Sequence, residues 1–293
     1  MPAPVLPRSG EPPEGPPWDL PMRETPFAFV DLEMTGLDSM KDRVLEICVE
    51  RVLGDAVVAR VETLVRPEDG ALGNESVHGI GEADLATAPT FREVAPRVLE
   101  VLGGAVLVAH AAPYDVAFLC AELRRLDVHL DLGFHLDTLT LSRRVFGFPS
   151  HALGALAKTL KIDPGRAHRA GDDVRVLRGV WAALLTELRP ETPRDLWHVK
   201  IGKRVARPGL IDALRDAMGH QDPVKIRYRP SGKRPVDFVF VVREVRTDLD
   251  PPRVLGYLLP SRGQKELRAD RILSVDFDPT PPGAPPEPGR RSV

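Results

Sequence analysis

Two carboxylates stand one residue apart at the end of an apolar run near the start of the chain. In the stretch FAFVDLEMTG, Phe27 to Gly36, Asp31 and Glu33 follow four apolar residues. Alternate side chains of a strand point to the same face, so the two acids lie side by side. Two ionised carboxylates this close repel each other, and a divalent cation that prefers oxygen ligands, Mg²⁺ or Mn²⁺, removes the repulsion. Taken alone, the pair is better explained as a solvated strand end.

Two later segments also place an acid where an apolar element begins. In VLVAHAAPYDVAFL, a buried strand and a short loop precede Asp115 at the start of a helix. In AHRAGDDVRVL, His168 precedes Asp173 by five residues, again at a helix start. Taken singly, Asp115 is also explained as a helix N-cap or first-turn acid, and His168 as a surface imidazole. Together they predict one acidic cluster at a sheet edge, where the sites of α/β proteins usually lie.

The three segments resemble the three motifs of the DEDDh branch of the DnaQ-like 3′-to-5′ exonucleases, over roughly Pro26 to Arg189. DLEMTG is similar to acid-x-Glu-x-Thr-Gly, HAAPYD to His-x-Ala-x-aromatic-Asp, and HRAGDD to His-x-Ala-x-x-Asp, which selects Asp173 over Asp172. Two positions depart from the family: Ala111 stands where Asn is frequent, and Tyr114 replaces the commoner Phe. The first motif is also close to that of oligoribonucleases, so DNA and RNA both stay open as substrates.

The resemblance implies an RNase H-like mixed sheet flanked by helices. It also implies hydrolysis at nucleic-acid 3′ ends, in single-stranded DNA or RNA, with release of nucleoside 5′-monophosphates. Two Mg²⁺ or Mn²⁺ ions would be held by Asp31, Glu33, Asp115 and Asp173, with Asp31 bridging them. His168 would be the general base, and an unperturbed histidine pKa of about 6.5 suits that role.

A second group of residues is predicted to contact the substrate. The group consists of Thr35, Gly36, Leu37, His78, Ile80, His110 and Phe118. Backbone of the first three is expected to bind the 3′-terminal nucleotide, while His78, Ile80 and Phe118 would wedge or stack its base. Core packing is the alternative for Ile80 and Phe118, and a structural hydrogen-bonding role is the alternative for His110.

Hydrophobic periodicity predicts the elements that must position these residues. Strands are expected over Phe27–Leu32, Val44–Leu53, 57–67 and 105–110. Helices are expected over 91–103, 115–126, 151–160 and 172–188. Strands followed by alternating helices and strands are typical of a mixed α/β sheet with helices packed on it.

Composition divides the chain into two folded blocks with polar ends. Residues 1–25 are predicted to be a disordered Pro-rich tail, 26–189 the exonuclease domain, 190–208 a linker, 209–278 a second domain and 279–293 a second disordered tail. The second domain is expected to hold one helix and a small, strongly curved sheet or barrel.

The second block resembles a WYL domain in LIDALRDAM, VKIRYRP, VLGYLLPSRG and LRADRILSV, although RVLGYL replaces the Trp-Tyr-Leu signature. The resemblance implies an Sm-like β-barrel that binds a nucleotide or nucleic acid. We define the predicted ligand patch as five cations: Lys225, Arg227, Arg229, Arg268 and Arg271. A solvated strand face is the alternative interpretation of the strand cations.

Charge and cysteine content restrict the partners further. The 293 residues carry 40 Lys and Arg against 42 Asp and Glu, a net charge of −2. This excludes a bulk polycation, so nucleic-acid binding must use a local patch or metal ions. Cys48 and Cys120 lie in apolar segments, which predicts buried thiols in a reducing compartment. No apolar run is long enough to span a bilayer and the N-terminus lacks a secretory h-region, which predicts a cytoplasmic protein without a membrane partner.

Three functional hypotheses follow. The first is a metal-dependent 3′-to-5′ exonuclease with a WYL-like module that positions or regulates it. The second is a nucleic-acid- or nucleotide-binding regulator with weak or no nuclease activity, an interpretation that Ala111 and the additional domain favour. The third is a free proofreading subunit, which requires a polymerase partner, and no clear clamp-binding motif stands out. A general base at His168 favours the enzyme, because a binding module has no need of one.

Overall fold

The computed structural model describes residues 10–73, 75–166, 168–202, 206, 208–230, 233–249 and 251–277. The chain divides into two compact units. The first comprises Met1–Arg144 and Phe148–Ile201, and the second comprises Val145–Gly147 and Gly202–Val293.

A five-stranded mixed sheet forms the centre of the first unit. Its strands are β1 (Pro26–Met34), β2 (Val44–Leu53), β3 (Ala56–Leu64), β4 (Val106–Ala109) and β5 (Leu136–Asp137). The spatial order is β3-β2-β1-β4-β5, with β1 and β3 antiparallel to β2, and β4 parallel to both β1 and β5. The predicted mixed sheet is therefore confirmed, and the strand that carries Asp31 and Glu33 lies at its centre.

Eight helices of the described residues belong to this unit. They are α1 (Glu75–His78), α2 (Glu82–Leu85), α3 (Phe91–Leu102), α4 (Pro113–Arg125), α5 (Thr138–Val145), α6 (Leu153–Leu160), α7 (Ala170–Leu188) and α8 (Pro193–Ile201). The strands and helices expected in the nuclease block are all present, within a few residues of their expected ends.

The alternation of side chains along β1 explains which acids face which helix. Ala28 and Val30 point into the main core, which the buried faces of α3 and α4 complete. Phe27 and Phe29 point to the opposite face and make edge-on contacts with Trp181 of α7. Asp31 and Glu33 continue this second row, so the sheet directs the two acids toward the face covered by α7.

The predicted linker over 190–208 and the predicted tail over 1–25 both contain folded structure, which corrects these two boundaries. Helix α8 occupies half of the linker segment, and its Trp197 is completely buried. Trp18 is 5% exposed and packs edge-on against Trp197, while the Trp197 indole N–H donates to the Gly10 carbonyl at 3.0 Å. The polar composition of this segment did not reveal that α8 has one apolar face. The aromatic contacts of Trp18 hold residues 10–25 against α8. Residues 1–9 and 278–293 lie outside the described residues.

Replacing Trp18 by Ala is expected to lower the free energy of unfolding by about 2–4 kcal/mol, because it opens a cavity between the N-terminal segment and α8. Urea denaturation of the purified variant measures this change. Phe277→Ala is the control, since that side chain is 52% exposed and its loss should change stability little. Equal stabilities of the two variants would contradict the docking of Trp18.

The second unit consists of a helix on an antiparallel sheet. Helix α9 (Pro208–His220) contacts the sheet chiefly through β7. The strands are β6 (Pro223–Tyr228), β7 (Val236–Arg246), β8 (Arg253–Leu259), β9 (Gln264–Arg268) and β10 (Ile272–Asp276). They lie in the order β10-β6-β7-β8-β9.

The expected Sm-like barrel is not closed. A short 3₁₀ turn, Ala269–Arg271, divides the last predicted stretch into β9 and β10, which then join different sides of the sheet. In the described residues, β9 and β10 are the two edges of an open five-stranded sheet. The helix and the small sheet that the hydrophobic pattern predicts are thus present, but neither the barrel nor the WYL resemblance is confirmed.

Two other expectations concern buried thiols and membrane spans. Both cysteines are free and buried, and burial raises the pKa of Cys48 to about 12. Among the described residues, no helix combines the length and the apolar character that crossing a bilayer requires.

Candidate functional site

Asp31 and Glu33 lie near the C-terminal end of β1, on the same face of the strand. Asp31 is half-buried and Glu33 is 9% exposed. Across the sheet, Glu33 pairs with Glu46 of β2, so a third acid stands next to the first two. This local concentration of negative charge has no counterpart in the apolar remainder of the strand.

Asp115 reaches the same place from the start of α4. Its side chain is 5% exposed, and the backbone of Leu32, the residue between the two acids of β1, partly offsets the rise in its pKa that burial causes. Pro113 begins the helix, where its missing N–H costs nothing. The acid of the second motif therefore lies close enough to Asp31 to raise the pKa of that residue.

The third motif completes the cluster. Asp173 lies in the first turn of α7 and accepts the backbone N–H of His168 through Oδ2 at 3.1 Å. One potential ligand atom from each of Glu33, His168 and Asp173 falls within 4.8 Å of the other two. The imidazole is exposed, whereas the carboxylates are at least half-buried. The structure therefore brings together all five residues predicted to carry the chemistry.

The electrostatics of this cluster favour a bound cation. Desolvation, together with Asp115 and Asp173, raises the pKa of Asp31 well above its ordinary value. Desolvation, Asp173 and Glu46 raise the pKa of Glu33 to about 7, with Arg169 opposing them. Desolvation likewise raises the pKa of Asp115 and of Asp173. Buried, mutually repelling oxygen donors fit a hard divalent ion, which restores the ionised form of each acid.

The loop that follows β1 is fixed by hydrogen bonds from Thr35 and Asp42. The Thr35 hydroxyl accepts the N–H of Arg43 at 3.0 Å and lies 3.3 Å from Asp42 Oδ1. A Cβ at Gly36 would lie 2.5 Å from Asp42 Oδ2. Any larger residue at this position would therefore force the Asp42 side chain to move. The Leu37 side chain is 77% exposed. These three predicted contact residues thus lie directly after the two acids, with Leu37 open to solvent.

Three other predicted substrate contacts lie inside the protein. Phe118 is fully buried in the main core, and Ile80 is 1% exposed in a small cluster with Leu45 and Leu85. His78 is 4% exposed, and both of its ring nitrogens bond to backbone groups within six residues. Core packing, the alternative interpretation for Ile80 and Phe118, describes their positions here.

His110 has both ring nitrogens engaged within the first unit. Nε2 lies 2.9 Å from the His151 carbonyl, and Nδ1 lies 2.9 Å from the Thr138 hydroxyl. Desolvation lowers the pKa of His110, which favours a neutral ring, and the His151 carbonyl can accept only from a protonated Nε2. This arrangement matches the structural alternative for His110.

Sequence reasoning missed two buried acids that support the motifs. Asp137 accepts the N–H groups of Ala111 and Ala112 through Oδ1, at 2.9 and 3.4 Å, and so shapes the turn before Asp115. Glu46 bonds to the third motif. An acid inside the apolar run VLEICV was a signal for Glu46, whereas β5, which carries Asp137, is too short to show any period.

Ala111 has a positive φ of 63°, where an L-residue other than Gly or Asn is strained. Ala111→Gly is therefore expected to raise the free energy of unfolding by about 0.5–1 kcal/mol, measured by urea denaturation. Ala112→Gly is the matched control: its φ of −42° is ordinary for alanine, so that variant should lose stability. A loss of stability in both variants would contradict strain at Ala111.

The predicted ligand patch of the second unit is partly neutralised. Arg227 lies across from Asp237 on β7 and pairs with it at 3.0 Å, and Arg268 forms a two-pronged pair with Asp270. Lys225 faces Asp276 in the register between β6 and β10. The segment VKIRYRP contains no acid, but neighbouring strands supply them, which favours the alternative of a solvated, ion-paired strand face.

Acids from three separated segments gather beside an exposed imidazole on a mixed α/β sheet, an arrangement that could hold a metal ion. The family model described as Exonuclease (RNase_T) matches residues 28–180, just over half of the chain. The chain belongs to this DnaQ-like exonuclease family.

Relatives support the assignment at the level of the domain. A Mycobacterium tuberculosis (strain CDC 1551 / Oshkosh) protein with the provisional name bifunctional exonuclease/endonuclease is 31% identical over 94% of this chain and 43% of its own length. The DNA polymerase III subunit epsilon of Aquifex aeolicus is 31% identical over 55% of this chain and 81% of its own length. The chain thus spans less than half the length of the first of these two relatives.

A solved structure shows the same fold at low identity. The Escherichia coli exonuclease I complex with single-stranded DNA superposes with a TM-score of 0.51 and 16% identity, over 80% of this chain and 54% of the other. This likeness concerns the fold alone, and it agrees with the expected RNase H-like architecture.

Proposed function

We propose that the first unit is a metal-dependent 3′-to-5′ exonuclease that releases nucleoside 5′-monophosphates from single-stranded nucleic acid. One observation carries the proposal: Asp31, Glu33, Asp115 and Asp173 converge with His168 although 142 residues separate the first acid from the last. The name of the Aquifex relative and the DNA bound in the exonuclease I structure support a nucleic-acid substrate.

The four acids would hold two Mg²⁺ or Mn²⁺ ions, with Asp31 between them. Bound divalent ions supply Lewis-acid stabilisation of the charge that develops on the phosphodiester. We assign the shared position to Asp31 because the charges of the three other acids, Asp115, Asp173 and Glu33, all raise its pKa.

His168 is the proposed general base. Its exposed ring can receive the proton of the attacking water, while its backbone N–H is held by Asp173. The carboxylate therefore orients the main chain of the base as well as serving as a ligand. A positioned base of this kind contributes typically ~10²–10⁴-fold to a rate.

The exposed side chains around the acids are the proposed substrate surface. Leu37 is 77% exposed after the first motif, and Tyr114 is 50% exposed one residue before Asp115. Both can contact bases of an incoming strand, while the backbone of 35–37 contacts the terminal nucleotide. In this proposal the buried His78, Ile80, His110 and Phe118 support the surface from behind.

The second unit is proposed to bind nucleic acid or a nucleotide and so to position or regulate the first. The cations of the ligand patch support this proposal, although carboxylates already pair with Arg227 and Arg268. Any ligand must therefore compete with these ion pairs, which predicts weak, salt-sensitive binding.

A nuclease assay tests the proposed function. Purified protein with Mn²⁺ should release mononucleotides from 3′-labelled single-stranded DNA, RNA or dinucleotides, and the preferred polymer identifies the substrate. EDTA should abolish release and excess Mn²⁺ should restore it, because EDTA removes the ions that the four acids would hold. Tight binding of these polymers without any release, in Mg²⁺ or Mn²⁺, would instead support the binding regulator.

A further inference from the structure

The main chain at His168 is held in an unfavourable conformation. Its φ is 61°, in the left-handed region that costs a residue with a Cβ about 1–2 kcal/mol. The side chain is exposed, so packing of the imidazole does not compensate for this cost. Such a conformation persists only where neighbouring contacts enforce it.

A single buried carboxylate supplies these contacts on the C-terminal side. Glu46 of β2 is 3% exposed and accepts the Arg169 guanidinium through Nε at 3.1 Å and Nη2 at 3.0 Å. The same carboxylate also accepts the backbone N–H of Ala170 at 3.1 Å. Glu46 thus fixes both residues that follow His168, one by its side chain and one by its main chain.

The contact is costly to break. Glu46 loses nearly all of its hydration on folding, and an unpaired charge at this depth is strongly unfavourable. A planar guanidinium matches the carboxylate with two parallel bonds, a geometry that a lysine cannot reproduce. The pair therefore sets the direction of the chain at the point where the loop enters α7.

We propose that Glu46 and Arg169 are a positioning pair that holds His168 in its left-handed conformation beside the acid cluster. The inference rests on the proposed function, in which His168 is the general base. Neither residue is assigned a contact with the substrate, so both act through the loop. Loss of the pair lets the backbone at His168 relax and moves the imidazole away from the acids, and misplacement by ~1 Å can cost ~10²-fold in rate.

The same strand and helix provide a matched control pair. Glu50 of β2 is 3% exposed and binds Arg178 of α7 at 3.0 Å. The side chains of Arg178 and Arg169 are exposed to the same degree, 33% and 34%. Arg178 lies within the helix, ten residues after His168 in the sequence, and supports no strained loop. Glu50 keeps a second ion pair with Arg60 at 2.7 Å. Removing Arg178 should therefore cost no more stability than removing Arg169, and it should not move the base.

Turnover of four full-length variants tests the proposal. Arg169→Ala, Arg169→Lys and Glu46→Gln should each lower kcat about 10–100-fold, with KM and Mn²⁺ affinity within about threefold of wild type. Arg178→Ala should keep the wild-type kcat. Methylguanidinium should partly restore kcat in Arg169→Ala, because a cavity of about 270 Å³ beside Arg169 can admit it.

Hydrogen exchange gives a readout that is independent of activity. In metal-free protein, amides of residues 168–171 should exchange faster in Arg169→Ala than in wild type, and at the wild-type rate in Arg178→Ala. Unchanged exchange in Arg169→Ala would overturn the proposal. So would full activity of Arg169→Lys, which would show that Arg169 acts only as a charge near Glu33, or an equal loss of kcat in Arg178→Ala.

The proposed nuclease activity and the positioning role of Glu46 and Arg169 can fail separately. If wild type releases no mononucleotides, the proposed function fails and the catalytic role of the pair fails with it. If wild type is active and Arg169→Ala is equally active, only the positioning role is overturned.

Discussion

Asp31→Asn is expected to lower the rate of hydrolysis at least ~10³-fold and, at the same time, to stabilise the metal-free protein. The rate should fall because Asp31, the proposed shared ligand of both ions, loses its charge, and a factor of 10³ corresponds to about 4 kcal/mol of transition-state stabilisation. Single-turnover kinetics with Mn²⁺ measure this loss. A variant with wild-type turnover would contradict the assignment of Asp31.

Stability changes in the opposite direction because burial and neighbouring acids raise the pKa of Asp31 in the folded state. Between the unfolded pKa, about 3.9, and the higher folded pKa, the native state binds more protons than the unfolded state. Stability of the metal-free protein therefore falls as pH rises through this interval. Asn cannot ionise, so Asp31→Asn lacks this loss and should be the more stable protein at neutral pH.

Glu33→Gln, like Asp31→Asn, is expected to make the metal-free protein more stable, and the pKa of Glu33 defines the pH range of this effect. The folded pKa of Glu33 is about 7, against an ordinary value of 4.5, so wild type in EDTA should lose stability between about pH 4.5 and pH 7. After allowance for solvent screening, Gln should recover about 1–2 kcal/mol at pH 7.5. Asp248→Asn, with a side chain that is 69% exposed, is the control and should leave the slope unchanged. Parallel pH profiles of wild type and Glu33→Gln would show that the acids do not repel as described.

His168→Ala is expected to lower kcat by ~10²–10⁴-fold while Mn²⁺ binding survives. The imidazole is the exposed member of the cluster, and in the proposed function the four carboxylates hold the ions without it. Isothermal titration with Mn²⁺ and steady-state kinetics separate the two properties. A loss of Mn²⁺ affinity of more than about tenfold would make His168 a ligand and not the base.

Two further variants separate this effect from unfolding. His168→Gly relieves the positive φ at this position, so it should lose the same activity yet be at least as stable as His168→Ala. His129→Ala removes another exposed imidazole of the first unit and should keep wild-type activity. Wild-type activity of His168→Gly would exclude a catalytic imidazole at this position.

The difference between expected and observed elements has a consistent physical cause. Val44–Leu53 was predicted to the residue because ten residues of a largely buried strand give an unambiguous pattern. Strand β5 has two residues and α1 and α2 have four each, too few to show a period. The helix α8 was missed because its exposed face is polar and its first residue is a proline, which is compatible with both a linker and a helix start.

The sequence by itself determined which residues are the candidate reacting groups. The spacing of Asp31 and Glu33 on a strand, and the placement of Asp115, His168 and Asp173 at loop and helix starts, followed from local periodicity, which depends on neighbours along the chain.

Only the tertiary structure decided which groups support and surround them. It placed Phe118 and Ile80 in core clusters, left Leu37 and Tyr114 exposed, and joined Glu46 to Arg169 across 123 positions of the chain. Such contacts depend on how strands and helices pack, and no local pattern encodes the distance between residues that meet only after folding.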